Sequence, residues 1–394
     1  MALPAYFAYN VFIMSPMKRA VLILVAIILL AAVYEFWVRN DMSDFGMSYR
    51  AGERIRSGET LYRDSDGHLK YYYSPTSALF FAVFCLLPNE WAKLLWYILQ
   101  FLCLAGVFSL SFRILPCQEK KTLPICFWTF LIMLKFLGRE VELGQLNLFM
   151  LFSLTLMLYF LIEQRNVAAG LVWAPSMFFK PYALVFLPYF LIKKKFTAAA
   201  LGLSVFLAGL FLPALFYGFR GNLIVLKEWT SNLLYSTSHL LSAYDNASLY
   251  GFLSKAFPAG WAKAVVPVLI LDFLLLAFAL LWMIHKGRTN GEIQRPEVLE
   301  SSFLFIMIPF FSPLGWNYNY LYSFLAVMMI VSAFKKFPLS LKIILIINFA
   351  MISTSLVELW GRTVFHFYTQ YSFVVINFFV VLFGLFYLRL KKIS

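Results

Sequence analysis

Apolar stretches close to membrane-spanning length recur along the whole chain, and polar residues fall between them rather than alternating within them. About 20 apolar residues as helix cross the hydrocarbon, whereas membrane strands would alternate polar and apolar positions. The pattern therefore predicts an all-α polytopic membrane protein. Grouping the runs so that their basic ends share one side gives spans near residues 17–38, 90–112, 122–138, 146–163, 196–217, 263–284, 340–357 and 370–389. Two further segments, 167–192 and 301–334, begin and end on the basic side yet carry a proline-centred polar motif in the middle. The first holds Phe178-Phe179-Lys180-Pro181-Tyr182; the second holds Ser312-Pro313-Leu314-Gly315-Trp316-Asn317-Tyr318-Asn319. Proline cannot donate a backbone hydrogen bond, so each segment is expected to be two shortish helices turning near the opposite face. Irregular backbone at that depth needs protein or a water-filled cavity around it. Counted as helix pairs, these segments give a bundle of about twelve crossings, within a range of about ten to thirteen.

The longest polar interruption runs from residue 39 to 73. Between Arg39 and Lys70 it carries six Lys/Arg and six Asp/Glu, so it is charged but balanced. It opens Asp41-Met42-Ser43-Asp44-Phe45 directly after the first apolar stretch, and a carboxylate at the mouth of an apolar bundle is costly and usually kept for chemistry or transport. Residues 74–88 are too short to cross and read as an amphipathic helix in the interface. A second polar loop, 218–262, contains Trp229, Asn232, Asp245 and Asn246-Ala247-Ser248, a triplet that fits a glycan sequon. No linker or low-complexity tract divides the chain, so residues 1–394 are expected to form a single membrane domain. Its first outside loop with interfacial helix is 39–89 and its second outside loop 218–262.

Composition agrees with this reading: the chain is 62% hydrophobic and 13% charged, with mean hydropathy +0.78, which excludes an ordinary soluble domain. The net charge of +14 does not point to nucleic acid, because the bases sit at span ends, where they set topology and meet anionic lipid. Lys18-Arg19 ahead of the first span, with no small-residue cleavage site after it, predicts a retained signal-anchor; Met17 offers an alternative start. These bases, with Arg113, Lys120-Lys121, Arg165, Lys193-Lys194-Lys195, Lys335-Lys336 and Arg389, place both termini in the cytoplasm and the two polar loops outside. Cys85, Cys103, Cys117 and Cys126 lie in or beside apolar segments without metal-ligand spacing and read as buried free thiols. His68, His239, His285 and His366 form no metal motif. Asp272, in mid-span, is expected in a buried hydrogen bond.

Several short motifs resemble glycosyltransferase family 87, the polyprenyl-phosphate-mannose-dependent transferases of the GT-C membrane class. They are Asp44 with Tyr49 and Ala51, Gly58-Glu59-Thr60-Leu61-Tyr62, Tyr73-Ser74-Pro75 and Leu87-Pro88. Gly144-Gln145-Leu146-Asn147, Ala169-Gly170, Lys180-Pro181 with Lys193-Lys194, Asn246-Ala247-Ser248-Leu249 and Ser312-Pro313 with Trp316 continue the series to about residue 320. Family members commonly carry histidine just after the tryptophan, where this chain reads Asn317-Tyr318-Asn319-Tyr320. The resemblance implies a GT-C-type bundle in a bacterial cytoplasmic membrane. There the enzyme would pass a hexose, with mannose favoured, or a pentose from a polyprenyl-phosphate-linked donor to an envelope glycolipid or glycan acceptor on the outer face.

Such chemistry needs a base to take the proton of an acceptor hydroxyl as it attacks the anomeric carbon; Asp44, which matches the family's loop acid, is the candidate. The alternative is an interfacial aspartate paired with Arg39 or Arg50. The departing phosphate needs cations, for which Lys180, Arg139 and Arg50 are candidates; Lys180 could instead be a snorkelling lysine. Glu142, with its neighbour Glu140, could orient substrate or pair with Arg139. Tyr73 and Trp316 could stack on sugar or belong to the interfacial aromatic belt, and Gln145 and Asn147 could touch sugar or staple helices. Asn246 and Asn319 complete the expected substrate-binding set. A monophosphate leaving group obliges no divalent metal, so no metal and no cofactor are expected, and displacement by one base predicts inversion. Partners are then the donor, the acceptor and membrane lipids. A transporter or flippase of a lipid-linked saccharide is the competing reading, since broken helices around a buried lysine also build transport sites.

The topology has a direct test. A cysteine placed at Ser57 should react with an impermeant thiol reagent added outside, and one placed at Lys194 should be spared. The reverse labelling pattern would invert the arrangement.

Overall fold

The computed structural model describes residues 16–116, 122–241, 243–289 and 294–392. Residues 1–15, Cys117, Lys120 and Lys121, and the side chains of Lys18, Arg19 and His239, lie outside the described residues. Within them the protein is helical, and the only β pairing is an isolated bridge between Asn246 and Trp316.

Helix α1 (Pro16–Val33) continues through a π turn, Tyr34–Val38, into the first polar segment. That segment is not an irregular loop: it contains α2 (Ser43–Arg56) and a 3-10 turn at Asp64–Leu69, and α3 (Pro75–Phe84) follows it. Ser74 starts α3 by accepting the amide of Ser77 with its hydroxyl at 3.2 Å, and Pro75 occupies the first helical position, where its missing N–H costs nothing. As expected, α3 is too short to cross, at about 15 Å. It is apolar nearly all round and mostly buried against α2, however, rather than an amphipathic helix lying free in the interface.

Helices α4 (Asn89–Ile114), α5 (Thr122–Leu143) and α6 (Asn147–Ile162) follow. The proline-centred segment 167–192 is a broken pair as expected: α7 (Asn166–Phe179), a 3-10 turn Pro181–Val185, and α8 (Phe186–Ile192). Helix α9 (Phe196–Gly209) is only 14 residues long, and the chain then bends by 93° into α10 (Ala214–Leu240). Residues 196–217 are thus not one straight crossing, and 218–262 is mostly helical, containing most of α10 and α11 (Leu249–Ala256). Helix α10 lies over the first polar segment. Trp229 Nε1 donates to the Tyr72 carbonyl at 3.2 Å, Asn232 Nδ2 to that of Tyr71 at 2.9 Å, and Val225 and Trp229 share a small core with Met47, Ala51, Ile55 and Tyr71.

The chain closes with α12 (Val265–Thr289), the second proline-centred pair α13 (Pro296–Phe311) and α14 (Phe324–Ser332), then α15 (Leu339–Thr354), α16 (Val357–Gln370) and α17 (Phe373–Leu390). Among the described residues, four helices are long and apolar enough to cross alone: Asn89–Ile114, Thr122–Leu143, Gly260–Gly287 and Phe373–Leu390. Counting α9–α10 and α15–α16 as bent spans gives up to six. The count of about twelve therefore rests on taking short apolar helices such as α6 and α7 as separate crossings. Cys85, Cys103 and Cys126 are free thiols, only Cys103 fully buried. Asp272 does not meet its expectation. It is half-buried between the exposed Leu271 and Phe273, and among the described residues it joins no hydrogen bond or ion pair, because α12 packs along one narrow stripe only.

The reversal between α5 and α6 takes three residues, 144–146. Gly144 adopts φ +66°, the left-handed conformation that ends helices, and the Gln145 amide reaches back to the Glu140 carbonyl at 3.0 Å. Trp96 Nε1 donates to the Gly144 carbonyl at 3.0 Å and Gln100 Nε2 to the Gln145 carbonyl at 3.0 Å, clamping the turn from α4. A Cβ at Gly144 would lie 2.7 Å from the Cβ of Phe45 on α2. Gly144→Ala therefore combines backbone strain with a collision and should cost of order 1–3 kcal/mol. A clearly lowered Tm in detergent is expected; an unchanged Tm would show that the turn relaxes.

Candidate active site

Three chain reversals meet in one polar cluster. Asp44 lies in the first turn of α2, where the helix N-terminus favours an anion. Gln145 and Asn147 lie on the α5–α6 turn. Lys180 occupies the break after α7: proline disfavours helical geometry in the residue before it, and Lys180 is accordingly extended, at φ −143° and ψ 108°. The Ser74 amide docks on the Phe178 carbonyl at 3.3 Å, which brings Tyr73 alongside.

Gln145 Nε2 donates to Asp44 Oδ2, and also to the Tyr318 hydroxyl at 3.1 Å, while its Oε1 accepts from the Tyr73 hydroxyl at 3.4 Å. Asn147 Oδ1 accepts from Lys180 Nζ at 2.5 Å and from the Tyr322 hydroxyl at 3.0 Å. Asn147 Nδ2 donates to Glu140 Oε2 at 2.9 Å, and Glu140 Oε1 takes the Leu148 amide at 2.8 Å. Glu140, Asn147 and Tyr322 are fully buried, whereas Asp44, Lys180, Tyr73 and Tyr318 are partly open. The Tyr182 hydroxyl lies 3.4 Å from that of Tyr322, and the Lys180 ammonium stands 5.7 Å above the Tyr182 ring.

The cluster thus presents a carboxylate and an ammonium held by two amides rather than by each other. Burial pushes the Asp44 carboxyl above its ordinary value, partly offset by the hydrogen bond from Gln145 and the positive charges of Lys180 and Arg139. Among the described residues Oδ1 of Asp44 has no partner, and an ammonium carries three donors, so Lys180 keeps two beyond its bond to Asn147. Neither alternative assignment fits. Arg39 pairs with Glu35 at 2.8 Å and Glu90 at 2.9 Å, among the described residues Arg50 forms no ion pair with Asp44, whose carboxylate is bonded by Gln145, and Lys180 bonds to the buried Asn147.

Other residues singled out in the sequence are placed differently. Arg139 is exposed and pairs with Glu142 at 2.8 Å, at the edge of the cluster. Asn246 is fully buried and all its capacity goes to backbone. Oδ1 accepts the amides of Ser248 and Gly315 at 3.0 Å each, and Nδ2 donates to the Leu241 and Pro313 carbonyls at 2.9 Å each. It staples two loops, and neither a sugar nor a glycan has an atom of it to use. Trp316 is half-buried beside that staple, and Asn319 turns its Nδ2 onto the Leu314 carbonyl at 3.1 Å. An Asp64-Ser65-Asp66 pair in the first segment has both carboxylates occupied, by Lys70 at 2.6 Å and by Arg54 at 2.5 and 2.8 Å. Sequence reading missed Tyr318, Tyr322 and Tyr182. The one available signal was a pair of tyrosines four residues apart, just after Trp316.

The model of glycosyltransferase family 87 matches residues 71–313, more than half of the chain. The matched segment includes Tyr73, Gln145, Asn147 and Lys180 and begins after Asp44. No curated protein and no solved structure matches the chain.

A raised carboxyl pKa has a consequence for stability. The folded state holds the Asp44 proton more tightly than the unfolded chain does. Stability from this group is therefore greatest below the ordinary aspartate value and falls as pH rises through the folded-state value. Above that value the ionised carboxylate is a burden on the fold. Asp44→Asn should accordingly give an equal or higher Tm at pH 7, with the difference shrinking toward pH 4. A lower Tm at pH 7 would mean that the charge stabilises the fold.

Proposed function

The chain belongs to glycosyltransferase family 87, and on that footing we propose that it moves a sugar from a polyprenyl-phosphate-linked donor to an envelope glycolipid or glycan. It is a membrane glycosyltransferase, with a sugar donor and an acceptor. The finer reading is a hexose, mannose by resemblance, transferred on the outer face of a bacterial cytoplasmic membrane. The observation that supports it best is the convergence of Asp44 and Lys180 on Gln145 and Asn147, side chains two residues apart on one turn.

In this reading Gln145 fixes one oxygen of Asp44 while the other accepts the acceptor's proton. The deprotonating hydroxyl oxygen bonds to the anomeric carbon, and the bond from that carbon to the phosphate oxygen breaks. Its electron pair remains on the phosphate, which leaves as a dianion beside the Lys180 ammonium. A base above the ordinary aspartate range is better matched to taking a hydroxyl proton near neutral pH. The ring faces and hydroxyls of Tyr73, Tyr182 and Tyr318 surround the gap between the charges and are suited to a sugar. Attack opposite the leaving phosphate inverts the anomeric configuration.

Two substitutions test the assignment with purified protein, a polyprenyl-phosphate-mannose donor and candidate acceptors. Asp44→Asn should abolish turnover and leave donor affinity nearly unchanged, the loss falling on kcat. Activity within about tenfold of wild type would contradict a general-base role. Lys180→Met should weaken donor binding by about 1.5–3 kcal/mol and slow single turnover further, with Lys180→Arg restoring part of it. It should also move the acidic limb of the pH–rate profile upward, because the Lys180 charge lowers the Asp44 pKa. Unchanged donor affinity and rate in the methionine variant would leave Lys180 a structural residue. Sugar translocation across vesicles without transfer would favour a transporter.

A further inference from the structure

A second cation on α5 is used by none of this chemistry. Lys135 lies five residues before Glu140, hence about 7.5 Å along the helix and about 140° around it. The body of α5 therefore separates it from the Asp44–Lys180 cluster, but it lies in the same half of the helix. Its Nζ donates to Ser355 Oγ at 2.6 Å and stands 5.3 Å from the Phe136 ring centroid and 5.2 Å from that of Tyr368. Among the described residues it forms no ion pair. Three N–H groups thus face one neutral hydroxyl and two aromatic rings, and an ammonium held away from water without an anion is an incomplete arrangement.

The surroundings indicate what completes it. Ser355 is the elbow between α15 and α16, which are bent by 101°. Helix α15 is apolar, whereas α16, turned across it, carries Glu358, Trp360, Arg362, His366 and Tyr368. This is the composition of a helix lying at the boundary between hydrocarbon and headgroups, and the elbow joins that helix to the apolar α15. On α5, Trp128, Leu131 and Leu134 are exposed at 52%, 37% and 43%, an apolar flank for a lipid chain. Arg139, one turn further on and 53% exposed, lies along the same stripe with its charge paired to Glu142.

We propose that Lys135 and the Ser355 elbow form a lateral site for the phosphate of an anionic lipid, separate from the Asp44–Lys180 cluster. The phosphate oxygens take the two unused ammonium donors, the Ser355 hydroxyl fixes the lysine, and the chains run down the exposed flank of α5. The same phosphate chemistry is offered by a bilayer phospholipid and by a lipid-linked saccharide carrier. The site does not depend on which sugar reaction the chain performs.

The test is native mass spectrometry of the detergent-purified full chain, titrated separately with phosphatidylglycerol, phosphatidylcholine and a polyprenyl phosphate. Wild type should retain phosphatidylglycerol in preference to phosphatidylcholine. Lys135→Met should weaken that binding by about tenfold or more, the effect of losing a charge-assisted bond, and Lys135→Arg should keep most of it. Polyprenyl phosphate displacing phosphatidylglycerol from wild type, but not from Lys135→Met, supports the site and assigns it to a lipid carrier. Failure to displace, with the lysine dependence intact, supports it as a phospholipid site. Equal phosphatidylglycerol binding by wild type and Lys135→Met, or no preference over phosphatidylcholine, overturns the proposal. In lipid-free detergent Lys135→Met should hold or raise the Tm, since it removes an unpaired charge. A variant that no longer folds would make Lys135 a structural pin and overturn the proposal as well.

Discussion

Glu140 is the group on which the polar cluster is built. It lies in the last turn of α5, fully buried, and both carboxylate oxygens are taken by the start of the next helix: one by the Leu148 amide, the other by the Asn147 side chain. A buried carboxylate without partners would be prohibitive. Here it supplies what the N-terminus of α6 lacks, an acceptor for amides with no intrahelical partner, and it locks Asn147 into one orientation. With Nδ2 committed to Glu140, Oδ1 of Asn147 must face Lys180 and Tyr322. The geometry of the cation therefore follows from a helix-capping interaction two links away.

The arrangement also explains why opposite charges are kept apart. A direct Asp44–Lys180 ion pair would satisfy both groups and leave little for a ligand, since a buried pair repays its desolvation only through close mutual contact. Two amides intervene instead. Each holds its charge through one bond and leaves other lone pairs or protons available, and Gly144, by reversing the chain within one residue, sets the amides two positions apart. Tyrosines from three separate segments, at 73, 182 and 318, lie against Gln145 or Lys180 without adding charge.

The motif residues that carried the family resemblance divide between the polar cluster and the scaffold around it. Gln145, Asn147, Lys180 and Tyr73 meet in the cluster, but Tyr49 donates to the Leu87 carbonyl at 2.9 Å and ties α2 to the turn before α4. Gly170 lets α7 approach α9, where a Cβ would lie 2.7 Å from the Ala198 carbonyl oxygen. Asn246 joins two loops through four backbone bonds. A motif thus marks a position that the fold cannot replace, and only the environment of the side chain separates a ligand contact from a staple.

The sequence alone determined the helical membrane class, because long apolar runs without alternation leave the backbone no partner except itself. It located the breaks at Lys180-Pro181 and Pro313, since proline's missing donor and its effect on the preceding residue are local properties. It also singled out Asp44 and Lys180, because charge next to or inside apolar sequence is costly wherever the chain goes. Tertiary structure decided the rest. Helical order within 39–73 and 218–262 depends on burial of α2, α3 and α10 against one another, which no local pattern announces. Whether Arg139 faces a ligand or Glu142, whether Asn246 binds sugar or backbone, and which tyrosines surround the charges are set by contacts between residues up to about 170 positions apart, such as Gln145 with Tyr318 at 3.1 Å. Hydrogen bonds of that kind depend on orientation at short range, and orientation exists only once the helices have packed.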